Sequence, residues 1–119
     1  MKLLSKTILI FIVILLSAAP AWCSDEDYFE QAITYTVEIT SQIKTPFEED
    51  SQGIYSGAGF LVDKERGWMV TNAHVASYSP AKITVSFKGE DFVPGETIYV
   101  DSYLDLAVIK IAPENILND

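Results

Sequence analysis

One cysteine in 119 residues, Cys23, leaves the chain with no means of closing a disulfide within itself. One histidine, His74, excludes a zinc site built from several imidazoles, and one imidazole with carboxylates is a weak ligand set. Basic residues are scarce, 8 against 17 acidic ones, for a net charge of −9. That balance disfavours nucleic acid and anionic membrane surfaces as partners. The one long apolar run, Ile8–Leu16, falls short of the ~20 residues that a bilayer span needs. No internal repeat and no low-complexity tract is present.

What is there begins with an export signal. Lys2 and Lys6 precede the apolar run, and Ser17-Ala18-Ala19-Pro20-Ala21 follows it, the order expected of a secretory signal peptide over residues 1–23. Cleavage is expected after Ala21 or Cys23, and Trp22 before the cysteine argues against a lipoprotein. The membrane is then a partner only through the signal segment, and the protein is expected to be periplasmic or extracellular. Removal of the signal leaves six basic residues against seventeen acidic, a net −11, on about 96 to 98 residues. That length suits one small domain that relies on its core alone.

The remainder reads as all-β. Residues 24–32 form an acidic arm, in which Asp25–Gln31 is a short helix or an extended lead-in. Ile33–Ile43 places apolar side chains at 33, 35, 37, 39 and 43, a period of two that predicts a half-buried strand. Lys44–Tyr55, with Pro46, Gly53 and the acids Glu48, Glu49 and Asp50, reads as a solvated loop. Those acids lack the spacing of a calcium loop. Further strands are expected over Ser56–Val62, Trp68–Thr71, Lys82–Phe87, Phe92–Val100 and Leu104–Ile111. Pro94-Gly95 implies an edge position or a bulge. Six short strands joined by turns, with no long amphipathic helix, predict a sandwich or small barrel. Trp68, Tyr78, Tyr99 and Tyr103 are scattered, as core or rim aromatics rather than a binding platform.

Two residues carry candidate chemistry. His74 is expected to follow a strand and open a single helical turn, for which Thr71 or Asn72 is available as N-cap. Its imidazole suits proton shuttling near neutral pH. A lone histidine at a strand end is more often structural than catalytic. Asp105 stands at the mouth of the apolar segment Leu106–Ile109, where a carboxylate is costly without a partner. His74 is the residue that could be that partner, and Asp105 could equally just cap the strand.

The order of segments adds what neither residue gives alone. Gly57-Ala58-Gly59-Phe60-Leu61-Val62-Asp63, Trp68-Met69-Val70-Thr71-Asn72-Ala73-His74-Val75, Ile83-Thr84-Val85, and Asp101 through Asp105-Leu106-Ala107-Val108-Ile109-Lys110-Ile111 resemble the HtrA/Deg branch of trypsin-like serine proteases. The resemblance covers residues 33–111. It implies the first, six-stranded barrel of a two-barrel fold over residues 33–112, with 113–119 as a truncated linker or tail. It further implies that His74 is the general base and acid, that Asp105 orients it, that polypeptides are the substrates, and that no cofactor or metal is needed.

The family's serine comes from a Gly-x-Ser-Gly-Gly-type turn whose N–H groups also form the oxyanion hole. No such turn occurs in the 119 residues. Tyr55-Ser56-Gly57 is the nearest look-alike, but it precedes the histidine and corresponds to the family's glycine-rich second strand. Alanine at 58 stands where relatives often have serine. The expectation is therefore a truncated, exported endopeptidase that is inactive alone, its missing barrel or further copies being partners. A non-catalytic secreted β-barrel used for binding, or one half of a split protease, are the alternatives.

Overall fold

The computed structural model describes residues 25–47 and 50–116, so the signal-peptide reading of residues 1–23 lies outside the described part. The elements run α1 (Asp25–Tyr35), β1 (Thr36–Ile43), β2 (Gly53–Asp63), β3 (Trp68–Thr71), α2 (Ala73–Ala76), β4 (Ala81–Phe87), β5 (Val93–Asp101) and β6 (Leu106–Ile111), then a 3-10 turn (Pro113–Asn115). The six strands close into an antiparallel barrel in the order β1-β2-β3-β6-β5-β4. Closure follows from β1, which pairs with β2 along one side (Ile39 opposite Gly57) and with β4 along the other (Ile39 opposite Val85).

Period-two alternation fills the barrel. Val37, Ile39, Met69, Ile83, Val85, Phe87, Ala107, Ile109 and Ile111 form one buried cluster. Each fully buried Val or Ile side chain contributes about 1.5–3 kcal/mol relative to exposure. The alternation also carries one polar side chain inside. Ser41, in step with Val37 and Ile39, is fully buried, and its hydroxyl donates a short hydrogen bond to the Val75 carbonyl of α2. Helix and barrel wall are thereby joined. Gly57 completes the seat: a Cβ there would lie 2.5 Å from Val75 Cγ2, so only glycine lets α2 pack this close to β2.

Several boundaries depart from the sequence pattern. Residues 33–35 belong to α1 rather than to the first strand, because β1 finds partners only from Thr36 (Phe60) and Val37 (Phe87) onward. Thr34 and Thr36 instead turn their hydroxyls back to the Gln31 and Ala32 carbonyls, at 2.8 and 2.7 Å. β2 starts at Gly53, three residues before Ser56, since Gly53–Tyr55 pair with Ile43–Ser41. Pro94 pairs only with Thr84 of β4, as β6 joins at Gly95, and the register shift in β5 falls between Thr97 and Tyr99 instead. Trp68, Tyr78, Tyr99 and Tyr103 all sit at the surface, Tyr103 wholly so.

Candidate active site

The site is built where β3 ends and β6 begins. Thr71 is paired with Ala107 of β6, which places the segments on either side of that pair at one rim of the barrel. Beyond Thr71 the chain leaves the sheet at Asn72, in extended conformation (φ −76°, ψ 147°), and winds the single turn of α2. Beyond Ala107, going backwards, lie Leu106 and Asp105. Asp105 adopts φ 51°, a left-handed conformation that aspartate tolerates better than most residues, and β6 therefore starts at Leu106 rather than at Leu104. The preceding turn is held by Asp101, whose Oδ1 accepts the N–H groups of Tyr103 and Leu104 at 2.9 and 3.0 Å.

His74 and Asp105, 31 residues apart, meet at this rim. His74 Nδ1 lies 2.7 Å from Asp105 Oδ2, and the His74 backbone N–H donates to Asp105 Oδ1 at 3.0 Å. One carboxylate thus grips both the ring and the main chain of the same residue. The second of these bonds also serves α2, because a first-turn N–H has no partner within its own helix. The His74 N–H above all, with the His74 ring and the Asn72 amide, holds the Asp105 carboxyl below the usual 3.8 against an opposing cost of desolvation.

An ionised carboxylate only accepts hydrogen bonds. Nδ1 of His74 therefore carries the proton, and the lone pair of the neutral ring resides on Nε2. With the His74 side chain 65% exposed and that of Asp105 41% exposed, the ring is open to an incoming group. The arrangement suits a ring that takes a proton at Nε2 while the carboxylate stabilises the resulting charge.

Ser56 is not brought to this pair. It faces Thr40 across β2 and β1, and lines a groove with Ile33, Thr36, Glu38 and Ser86 that includes neither His74 nor Asp105. Among the described residues, no group of three or more His, Cys, Asp or Glu side chains is placed to hold a metal ion.

Two participants escape a reading of the sequence. Asn72 takes the N-cap position, yet its side chain caps nothing; Nδ2 donates to the Asp105 carbonyl at 3.2 Å and to Asp105 Oδ2 at 3.1 Å. Thr71 does not cap either, its hydroxyl donating to the Ala58 carbonyl at 2.7 Å. The other participant is Asp50, placed in a solvated loop by its acidic neighbours. Its Oδ2 accepts from Ser77 Oγ (3.0 Å), Ser79 N (2.8 Å) and Ser79 Oγ (2.5 Å), just beyond α2. Ser77 and Ser79 are buried, and Ser77 holds φ 75°. The Ser79 hydroxyl is the largest influence holding the Asp50 carboxyl below its ordinary value. Its place within the histidine segment could have flagged Asn72; nothing local could have flagged Asp50.

Comparison with known proteins bears on the identity of this barrel. It superimposes on the serine endoprotease from Yersinia pestis with a TM-score of 0.62 at 22% identity, over 78% of this chain and 31% of that one. A protease from M. tuberculosis, solved in its active form, gives 0.58 at 23% identity, over 69% and 32%. In sequence, the chain is 29% identical over 101 residues to the pro-apoptotic serine protease NMA111 of Meyerozyma guilliermondii. It is 31% identical over 67 residues to Protease Do-like 7 of Arabidopsis thaliana. The family model of the trypsin-like peptidase domain matches residues 57–118, more than half of the chain. The chain belongs to the trypsin-like peptidase family, on its HtrA/Deg branch. As a member of that family it is partial, covering 10% and 6% of those two curated relatives and about a third of each solved protease chain. In this trypsin-like barrel, the residues that resemble the family's histidine and aspartate segments are the ones that meet at the rim.

Proposed function

We propose that this chain is the dyad-bearing barrel of an exported serine endopeptidase that acts on polypeptides. The observation that carries the reading is the 2.7 Å contact between His74 Nδ1 and Asp105 Oδ2, which no local feature of the sequence would create. In the reaction, Nε2 of His74 takes the hydroxyl proton of a serine as its oxygen bonds to the peptide carbonyl carbon. The C–N bond then breaks, and the same proton passes from Nε2 to the departing amine. Asp105 keeps its negative charge throughout and stabilises the imidazolium. The serine and the oxyanion hole would come from residues outside the 119, since the sequence holds no Gly-rich serine turn. Export rests on the Lys2, Lys6 and Ile8–Leu16 pattern, and the domain is taken as residues 33–112, between an arm at 24–32 and a tail at 113–119.

The test supplies the missing part. The chain is produced alone and together with a second barrel carrying a Gly-Asn-Ser-Gly-Gly turn, and each is offered a fluorogenic peptide and an activity-based phosphonate probe. Alone it should cleave nothing and stay unlabelled. Paired, it should cleave in a manner that His74→Ala abolishes, a loss of ~10⁴ or more. Cleavage that survives His74→Ala, or labelling of Ser56, would contradict the proposal.

A further inference from the structure

We propose that Asn72 is a positioning residue that aims the Asp105 carboxylate at His74, an inference that rests on reading His74 and Asp105 as base and orienting acid. Asparagine at an N-cap ordinarily turns its side-chain oxygen onto an N–H of its own first helical turn. Asn72 has the N-cap backbone but makes no such bond. Its amide is spent on Asp105, 33 residues on, with Nδ2 donating both to the main-chain carbonyl and to Oδ2. The N–H of His74, within the first turn that such a cap would serve, is taken by Asp105 Oδ1 at 3.0 Å. Capping has been exchanged between the two residues. Asp105 caps the histidine's helix, and Asn72 holds Asp105.

The exchange matters because Asp105 has reasons to move. Its side chain is 41% exposed, so water competes for both carboxylate oxygens, and its φ of 51° is a conformation that few side-chain-bearing residues keep unaided. The bond to the carbonyl pins the main chain at that φ. The bond to Oδ2 fixes the plane of the carboxylate, and Oδ2 is the oxygen that faces the imidazole. Asn72 does not touch the reacting atoms; it acts through Asp105.

His74 is the only histidine, so the side-chain ¹H–¹⁵N spectrum of the labelled 119-residue chain reports it without assignment ambiguity. Three variants are compared with the parent: Asn72→Ala, Asn72→Asp and Asp105→Ala. Asn72→Asp separates the roles, because aspartate caps a helix as well as asparagine does but cannot donate to Asp105 and repels it. The expected result is loss of the His74 Nδ1–H resonance to exchange in both Asn72 variants, with the amide spectrum of the barrel retained. In Asn72→Ala the carboxyl of Asp105, followed by its ¹³C shift, should also titrate closer to 3.8 than in the parent. A resonance that persists in either Asn72 variant overturns the inference; persistence in Asn72→Asp alone makes Asn72 a helix cap. Asp105→Ala keeps the two levels apart. Loss there with persistence in the Asn72 variants removes Asn72 only, whereas persistence in Asp105→Ala removes the pairing beneath it.

Discussion

Asp105 and Asp50 hold the same four-residue helix from its two ends, and they do so with different partners. At the N-terminal end, Asp105 faces an imidazole, a main-chain N–H and the Asn72 amide, and stands half in water. At the C-terminal end, one oxygen of Asp50 is saturated by two buried serines and one main-chain N–H. Both carboxyls are held below 3.8, Asp105 chiefly by the His74 N–H and Asp50 chiefly by the Ser79 hydroxyl. The lowered value alone therefore does not tell an anchor from a reactive partner. What separates them is the donor set. Serine hydroxyls and peptide N–H groups do not titrate, so Asp50 can only hold; an imidazole does, so Asp105 can take part in moving a proton.

That difference sets what each substitution should do. In the two-barrel assembly proposed above, Asp105→Asn should lower kcat by about 10⁴, because the ring loses the partner that fixes its tautomer. Asp50→Asn in the same assembly should cost less than tenfold, measured with the same peptide. Comparable losses would mean that both carboxylates act on the histidine, and the contrast between them would fall.

Stability should reverse the ranking. Asp50→Ala leaves the buried Ser79 hydroxyl without its acceptor, while Ser77 Oγ still reaches the Ser79 carbonyl, and about 1–3 kcal/mol is the usual cost of one such loss. Urea unfolding should register it, and hydrogen exchange should quicken at residues 77–79. The His74 Nδ1–H signal should persist. Its disappearance would show that the rear anchor also sets the front of the helix.

The smallest effect is in acid. A carboxyl whose folded pKa lies below its unfolded value stabilises the fold fully above the unfolded value, near 3.8, and the contribution is lost as pH falls through the lowered folded value. Stability should thus be level in this respect above about pH 5 and decline below 3.8. Asp50→Asn should flatten part of that decline in acid-unfolding curves, and an unchanged curve would remove Asp50 as a stabilising anchor.

The two ends of α2 also differ in how far the sequence revealed them. The barrel was legible where alternation meets β-branched residues, as in Val37–Ile39 and Ile83–Phe87. It misled at Ile33 and Tyr35, whose spacing continues the strand pattern although no neighbouring strand reaches them. Gly53–Tyr55 read as loop because the acids and Pro46 dominate the segment, yet they pair with the end of β1. The pairing of His74 with Asp105 is one of two open readings of the residues themselves and becomes specific only through the family resemblance, since the barrel alone closes the gap. Ser41, at the gap between 39 and 43 in the apolar series of the strand, is an inward-facing donor to α2. Asn72 read as a cap because its place in the chain is a cap's place, while its actual partner lies 33 residues on. Composition places Asp50 in water; two serines 27 and 29 residues later bring it to the C-terminal end of α2.

If Asp105 orients His74 as proposed, the proton sits on Nδ1 and the lone pair on Nε2. The most direct measurement is the ¹⁵N spectrum of the single imidazole in the 119-residue chain, at a pH where imidazoles are neutral. The expected spectrum shows one slowly exchanging form, Nδ1 protonated and Nε2 bare, with a proton cross-peak from Nδ1 that vanishes in Asp105→Ala. A ring protonated on Nε2, or one averaging between the two forms as free histidine does, would contradict it.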